Sequence, residues 1–211
     1  MKLKQWDEIY KRYGKFFVNP QEGMERIVGV FKEHNVKKVL DLGCGSGRHL
    51  IFLAERGFEV YGIDLAETGI KIAKDWLDEK DLHVELKIGS VYEELPYEDD
   101  FFDAVVSIRV LHHARIGDIR KAIKEIQRVL KSRGLIFITV RKRTPKKRRL
   151  KFIALDSRTY IPVEGDEKDL IHYLFNKRLL RREFRNFEIH DIWVDRENYY
   201  CLLGESKTAP K

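Results

Sequence analysis

Two cysteines in 211 residues, Cys44 and Cys201, are too few for a disulfide framework or a thiolate metal cage, and no metal ligand set is read from the sequence. Long apolar runs are missing too. None exceeds about six residues, with Leu135–Val140 the clearest, against the ~20 that a membrane helix needs. The opening residues, Met1-Lys-Leu-Lys-Gln-Trp-Asp-Glu8, carry positive charge with no apolar stretch behind it, so neither a secretory signal nor membrane association is expected. Heat-labile side chains are scarce, at three Gln, five Asn and two Met, while charged residues reach 36%. That balance fits surface ion pairing in a thermophile protein. Apolar residues make up 43%, enough for a real core, which excludes a disordered or fibrous chain. The expectation is one cytoplasmic domain over residues 1–211.

Acid is absent between Glu125 and Asp156, where eleven basic residues fall: Arg128, Lys131, Arg133, Arg141, Lys142, Arg143, Lys146, Lys147, Arg148, Arg149 and Lys151. The net +7 less these eleven leaves −4 elsewhere, so the basic character is local. A second basic set, Lys177, Arg178, Arg181, Arg182 and Arg185, is spaced to share one helical face.

Periodicity gives the order of elements. Met24, Ile27, Val28 and Phe31 recur at helical spacing, and Lys38–Leu42 reads as a buried strand that stops at Gly43. A helix over 49–56 ends at Gly57, and a strand over 58–63 follows. Ile72, Ala73, Trp76 and Leu77 stripe the next helix, residues 84–88 alternate as a strand, and Phe102–Ile108 is continuously apolar. A helix over 116–130 precedes the strand Leu135–Val140, with Gly134 expected to take a positive φ in the turn between them. After a helix expected over 167–185 come two strands, Phe187–Val194 and Tyr199–Leu203, too close for a parallel crossover and therefore an antiparallel hairpin. The whole is an α/β chain: a Rossmann-like, seven-stranded, mostly parallel sheet with helices on both faces and a C-terminal antiparallel hairpin. Residues 1–35 are expected to form a helical lid carrying Tyr10, Tyr13, Phe16 and Phe17, and residues 141–165 a basic insertion.

The chemistry gathers at strand ends. The first strand runs into Asp41-Leu-Gly-Cys-Gly-Ser-Gly47, whose glycines let backbone approach a ligand, and Asp64 closes the second strand where a carboxylate can accept ribose hydroxyls. A dinucleotide site wants Gly-x-Gly-x-x-Gly/Ala, but its third small position, counted from Gly43, is Arg48. The spacing Gly43-x-Gly-x-Gly47 after Asp41 instead resembles the first motif of the class I S-adenosylmethionine-dependent methyltransferases. Gly62-Ile-Asp-Leu65, Pro96 to Val106, Val110-Leu-His-His113 and Ile126 to Lys131 extend the resemblance over residues 20–140, within the small-molecule type similar to ubiquinone and menaquinone biosynthesis enzymes. The resemblance implies S-adenosyl-L-methionine as cofactor. It places Gly43, Cys44 and Gly45 along the methionine moiety, Asp41 near its amino group, Asp64 on the ribose, Leu65 against the adenine, and Ser90 and Val91 at the adenine edge. Ser90 stands where such enzymes commonly carry Asp.

His112, His113 and Arg109 lie where a methyl acceptor should arrive and are the candidate catalytic residues; capping, packing or surface pairing would also explain them. Tyr160, His172 and Tyr173 could join them around an enclosed pocket. Three functions fit: methyl transfer to a small molecule; methylation of tRNA or other RNA, with 141–151 on phosphates and Val106 to His113 similar to the wobble-uridine methyltransferases; or a non-catalytic cofactor-binding protein. The first is preferred because little chain remains beyond the catalytic sheet.

Overall fold

The structure is a computed structural model, and it describes residues 4–15, 17–143 and 151–207, with the side chain of Lys4 left out. Phe16 and the basic residues Lys146, Lys147, Arg148 and Arg149 lie outside the described residues.

Helices α1 (Lys4–Tyr13) and α2 (Met24–Glu33) precede β1 (Lys38–Leu42), α3 (Arg48–Ala54), β2 (Glu59–Asp64), α4 (Glu67–Glu79), β3 (Glu85–Ile88), β4 (Phe102–Ile108), α5 (Ile116–Val129) and β5 (Leu130–Arg141). Three short strands follow, β6 (Phe152–Ala154), β7 (Thr159–Pro162) and β8 (His172–Tyr173), then α6 (Lys177–Glu183), β9 (Phe187–Val194) and β10 (Tyr199–Ser206). The main sheet has seven strands in the order β3-β2-β1-β4-β5-β10-β9. The first five are parallel; β10 runs antiparallel to both β5 and β9, as the short turn between the last two strands requires.

Both faces are covered, which is why the central strands are apolar throughout rather than alternating. Val39 packs with α2, α3 and α4 on one face, and its neighbour Leu40 packs with α5 and α6 on the other. In α5 the buried stripe Ile119, Ala122, Ile123, Ile126 and Val129 repeats every three or four residues, and burying such side chains is worth about 1.5–3 kcal/mol each. Among the described residues no helix is long and apolar enough to cross a membrane.

Three expectations change. The helix expected over 167–185 is reduced to α6, because Tyr173 and Phe175 bury in alternation and Phe175 is tied to β5 through Phe175 N–H to Arg141 O at 3.0 Å. Asn176 then starts the helix, its side chain accepting from Leu179 N–H. Where a turn was expected, β5 already begins at Leu130, and the positive φ falls on Arg133, at +62°; Gly134 is needed for space, since a Cβ there would meet Lys131 O at 2.9 Å. The segment expected as a lid divides: α1 covers the site described below, whereas Met24, Ile27 and Phe31 of α2 are fully buried beneath the sheet.

A cavity at the carboxyl ends of β1, β2 and β4

The chain leaves β1 toward β2 on one side and returns to β4 on the other, so strand order reverses between β1 and β4. Open α/β sheets bind ligands in the crevice at such a point. Here it is a cavity of about 110 Å³ lined by Gly43, Cys44, Gly45, Asp64, Leu65, Val91, Tyr92, Arg109, Val110 and His113, with Trp6, Tyr10 and Phe17 closing it from the N-terminal segment.

The glycine loop has little room for side chains. Gly43 and Gly45 have φ of +84° and +55°, and a Cβ on Gly43 would come within 2.4 Å of Val110. Asp64 is positioned by backbone donors: its Oδ2 accepts from Gly45 N–H at 2.8 Å and its Oδ1 from Ala66 N–H at 2.9 Å, at the start of α4. It therefore ties the two loops together ahead of α4 while facing the cavity. Burial raises its pKa against those hydrogen bonds. Asp41 is not among the residues lining the cavity; both its carboxylate oxygens are buried without a hydrogen-bond partner among the described residues, and burial lifts its pKa to about 7. Cys44 and Cys201 are free, buried thiols.

The other sequence-derived residues divide. Leu65 and Val91 line the cavity; Ser90 does not, and its hydroxyl accepts from Tyr92 N–H at 3.2 Å. Arg109 reaches the cavity with φ +65°, its guanidinium over the Tyr199 ring and paired with Glu197, so it is already held by a carboxylate. His113 lines the cavity and His112 sits behind it, ring centroids 4.1 Å apart. Burial and the Arg141 guanidinium push His113 down to about 3, and burial depresses His112 strongly as well. Both imidazoles are neutral near pH 7 and weakly basic, which suits them to holding a group rather than removing its proton.

His172 joins the pair from β8, its ring 4.7 Å from that of His113, and Tyr160 stacks on its far side at 5.0 Å. Tyr173 turns into the core against Phe175. Trp6 and Tyr92 had no signal in the sequence, and Val110 enters there only as the start of the Val110-Leu-His-His113 motif, without a role at the site. Val110 and Tyr92 are apolar or aromatic residues in loops, which look the same whether they line a ligand or a core.

Comparison with known proteins agrees with this geometry. The methyltransferase domain family is matched over residues 39–134. The chain is 32% identical over 109 residues to the ubiquinone biosynthesis O-methyltransferase of Bartonella quintana, covering 52% of this chain and 43% of that protein. The chain thus spans less than half the length of the curated relatives it matches first. Among solved structures, the PH0226 protein of Pyrococcus horikoshii OT3 superposes with a TM-score of 0.77 at 25% identity, covering 95% of this chain and 99% of that one. The 1,6-didemethyltoxoflavin-N1-methyltransferase of Burkholderia thailandensis, solved with S-adenosylhomocysteine, shares the fold at a TM-score of 0.76 and 18% identity, over 98% and 87% of the two chains.

Proposed function

We propose that this chain is a class I S-adenosylmethionine-dependent methyltransferase that moves the methyl group of S-adenosylmethionine to a small-molecule acceptor. The observation that carries the reading is that the Gly43-Cys44-Gly45 backbone and the Asp64 carboxylate meet in one cavity at the reversal of strand order. The residues present fit the cofactor. The loop offers bare backbone, and the buried, unpartnered carboxylate of Asp41 calls for a cation such as an α-ammonium. In this reading Gly43, Cys44 and Gly45 hold the methionine moiety, Asp64 the ribose hydroxyls, and Leu65 and Val91 flank the adenine. Ser90 contributes from behind Val91.

S-adenosylmethionine supplies an activated methyl on a positive sulfonium. The protein's part is positioning and exclusion of water, worth up to ~7–11 kcal/mol of the barrier. Arg109 and His113 form the acceptor wall, and His112 sets the ring of His113 from behind. Helix α1 is the lid. The cavity is smaller than the ~300–1,000 Å³ usual for small-molecule sites, so Tyr10 and Trp6 must shift for cofactor to enter.

Calorimetry tests the cofactor, and radiolabelled methyl transfer into a metabolite pool against bulk tRNA tests the acceptor. The expected result is binding of S-adenosylmethionine and S-adenosylhomocysteine but not NAD, with label in the small-molecule fraction. NAD binding at comparable affinity would overturn the cofactor, and label in tRNA alone the acceptor.

A further inference from the structure

His112, His113 and His172 are buried together, exposed by 0%, 4% and 0%, and one donor atom from each lies within 4.8 Å of the others. The arrangement is fixed by backbone: Tyr173 N–H donates to His112 O at 2.7 Å, locking β8 onto the loop after β4. Both ring nitrogens of His112, both of His172 and Nδ1 of His113 have no hydrogen-bond partner among the described residues. A buried, unsatisfied polar atom is costly, so five in one cluster need a reason. A carboxylate is at hand as well: Glu167 Oε2 lies 3.5 Å from His172 Nε2.

We propose that His112, His113 and His172 form a binding site for a divalent first-row transition metal. Imidazole is a donor that Zn²⁺, Co²⁺ or Ni²⁺ take; Mg²⁺ and Ca²⁺ would choose oxygen. Zn–N bonds of about 2.0–2.1 Å require the three nitrogens to draw in from their present spacing. The neighbouring charges are balanced. Arg141 donates to Glu167 Oε2 at 3.1 Å, and Arg109 is paired with Glu197, so a dication does not face two bare guanidinium groups. Tyr160 and Tyr199 also contact Arg141 through their hydroxyls, at 2.9 and 3.2 Å. The site has a functional address, because His113 also walls the cavity. If the methyl-transfer reading holds, a metal there would hold an acceptor's oxygen or sulfur in its deprotonated form, a task a weakly basic histidine cannot perform.

The test is titration of the full chain, stripped with chelator, with Co²⁺ and Zn²⁺. One equivalent should bind, with the intense visible bands of low-coordinate Co²⁺, displaced by Zn²⁺. Cu²⁺ electron paramagnetic resonance of the parent should show coupling to several imidazole nitrogens. His172→Ala should lose affinity by about 100-fold or more, since even outer-shell losses cost 10–100-fold. His83→Ala, at an exposed histidine, should leave it unchanged. S-adenosylhomocysteine binding, measured alongside, reports folding and the cofactor reading separately. Stoichiometric binding unaltered by His172→Ala, or a Cu²⁺ spectrum without imidazole nitrogen, would overturn the proposal. So would the absence of binding tighter than millimolar in a parent that binds S-adenosylhomocysteine.

Discussion

The Tyr10 hydroxyl lies directly over Gly45: a Cβ added to that glycine would come within 2.2 Å of it. Tyr10 is half-buried, its pKa raised well above the ordinary value by desolvation and by Asp64, and its ring also packs on Gly69 of α4. Lid and glycine loop therefore occupy one space. Gly45→Ala should destabilise the fold by about 1–2 kcal/mol, the cost of a left-handed residue with a side chain, and should abolish cofactor binding. Thermal unfolding and calorimetry measure the two effects.

The lid can be tested on its own. Helix α1 is tied down by Thr68 N–H to Asp7 Oδ1 at 2.9 Å and by Lys15 to Glu79 at 2.6 Å. Tyr10→Ala should enlarge the cavity and remove the plug, so cofactor should associate faster and dissociate faster still. Stopped-flow fluorescence of Trp6 should show both rates raised, with Tyr10→Phe close to the parent. Rates unchanged in Tyr10→Ala would mean that the helix does not gate entry.

Asp64 carries two jobs that mutation can separate. Asp64→Ala removes the acceptor for Gly45 and Ala66 N–H along with the proposed ribose contact, and should weaken cofactor binding by about 1.5–3 kcal/mol with some loss of stability. Asp64→Asn keeps one acceptor oxygen and should restore most of the stability but not the affinity. A folded Asp64→Ala with parental affinity by calorimetry would remove Asp64 from the site.

Much of this was legible before the structure. The sheet, its order of elements and the terminal hairpin follow from apolar runs whose lengths and spacings leave one reading, and the β1 and β2 ends announce themselves through Gly43, Gly45 and Asp64. Residues 167–176 were not legible. Leu170, Tyr173 and Leu174 mimic helical spacing, and only pairing with β5 and β7 selects the extended form. His172 already stands with His112 and His113 around one expected pocket, but the pairing that brings its strand to a loop some sixty residues away has no local signature. Arg133 took the left-handed position expected of Gly134 because the glycine was needed one place on, against Asp103 and Leu130.

Asp41 makes the cofactor pH-dependent. Its carboxyl is lifted from the usual range to about 7 by burial, opposed by Arg48 and reinforced by Asp64. A folded pKa above the unfolded one contributes stability that is complete below about 4 and is lost as pH rises through about 7. Asp41→Asn should therefore flatten the stability profile of the free protein across that window. A cofactor ammonium beside Asp41 would favour its charged form, so binding should release protons and strengthen as pH rises toward 7. Calorimetry in two buffers of different ionisation enthalpy measures the release, and Asp41→Asn should abolish it.

The basic segment decides between a metabolite and a nucleic acid as partner. Several lysines and arginines gripping phosphates would release counterions, and binding would fall steeply with salt. The quadruple change Arg143→Gln, Lys146→Gln, Lys147→Gln and Arg148→Gln would then weaken tRNA binding and flatten its salt dependence, while cofactor affinity, set by Gly45 and Asp64, would stand. The expected outcome is that the variant differs little from the parent in either assay. A cluster of positive charge binds polyanions loosely without being built for them, and among the described residues the cavity is walled by Arg109 and His113. A gel-shift titration at two salt concentrations gives the answer. Sub-micromolar tRNA binding by the parent at physiological salt, lost in the variant, would make RNA the acceptor.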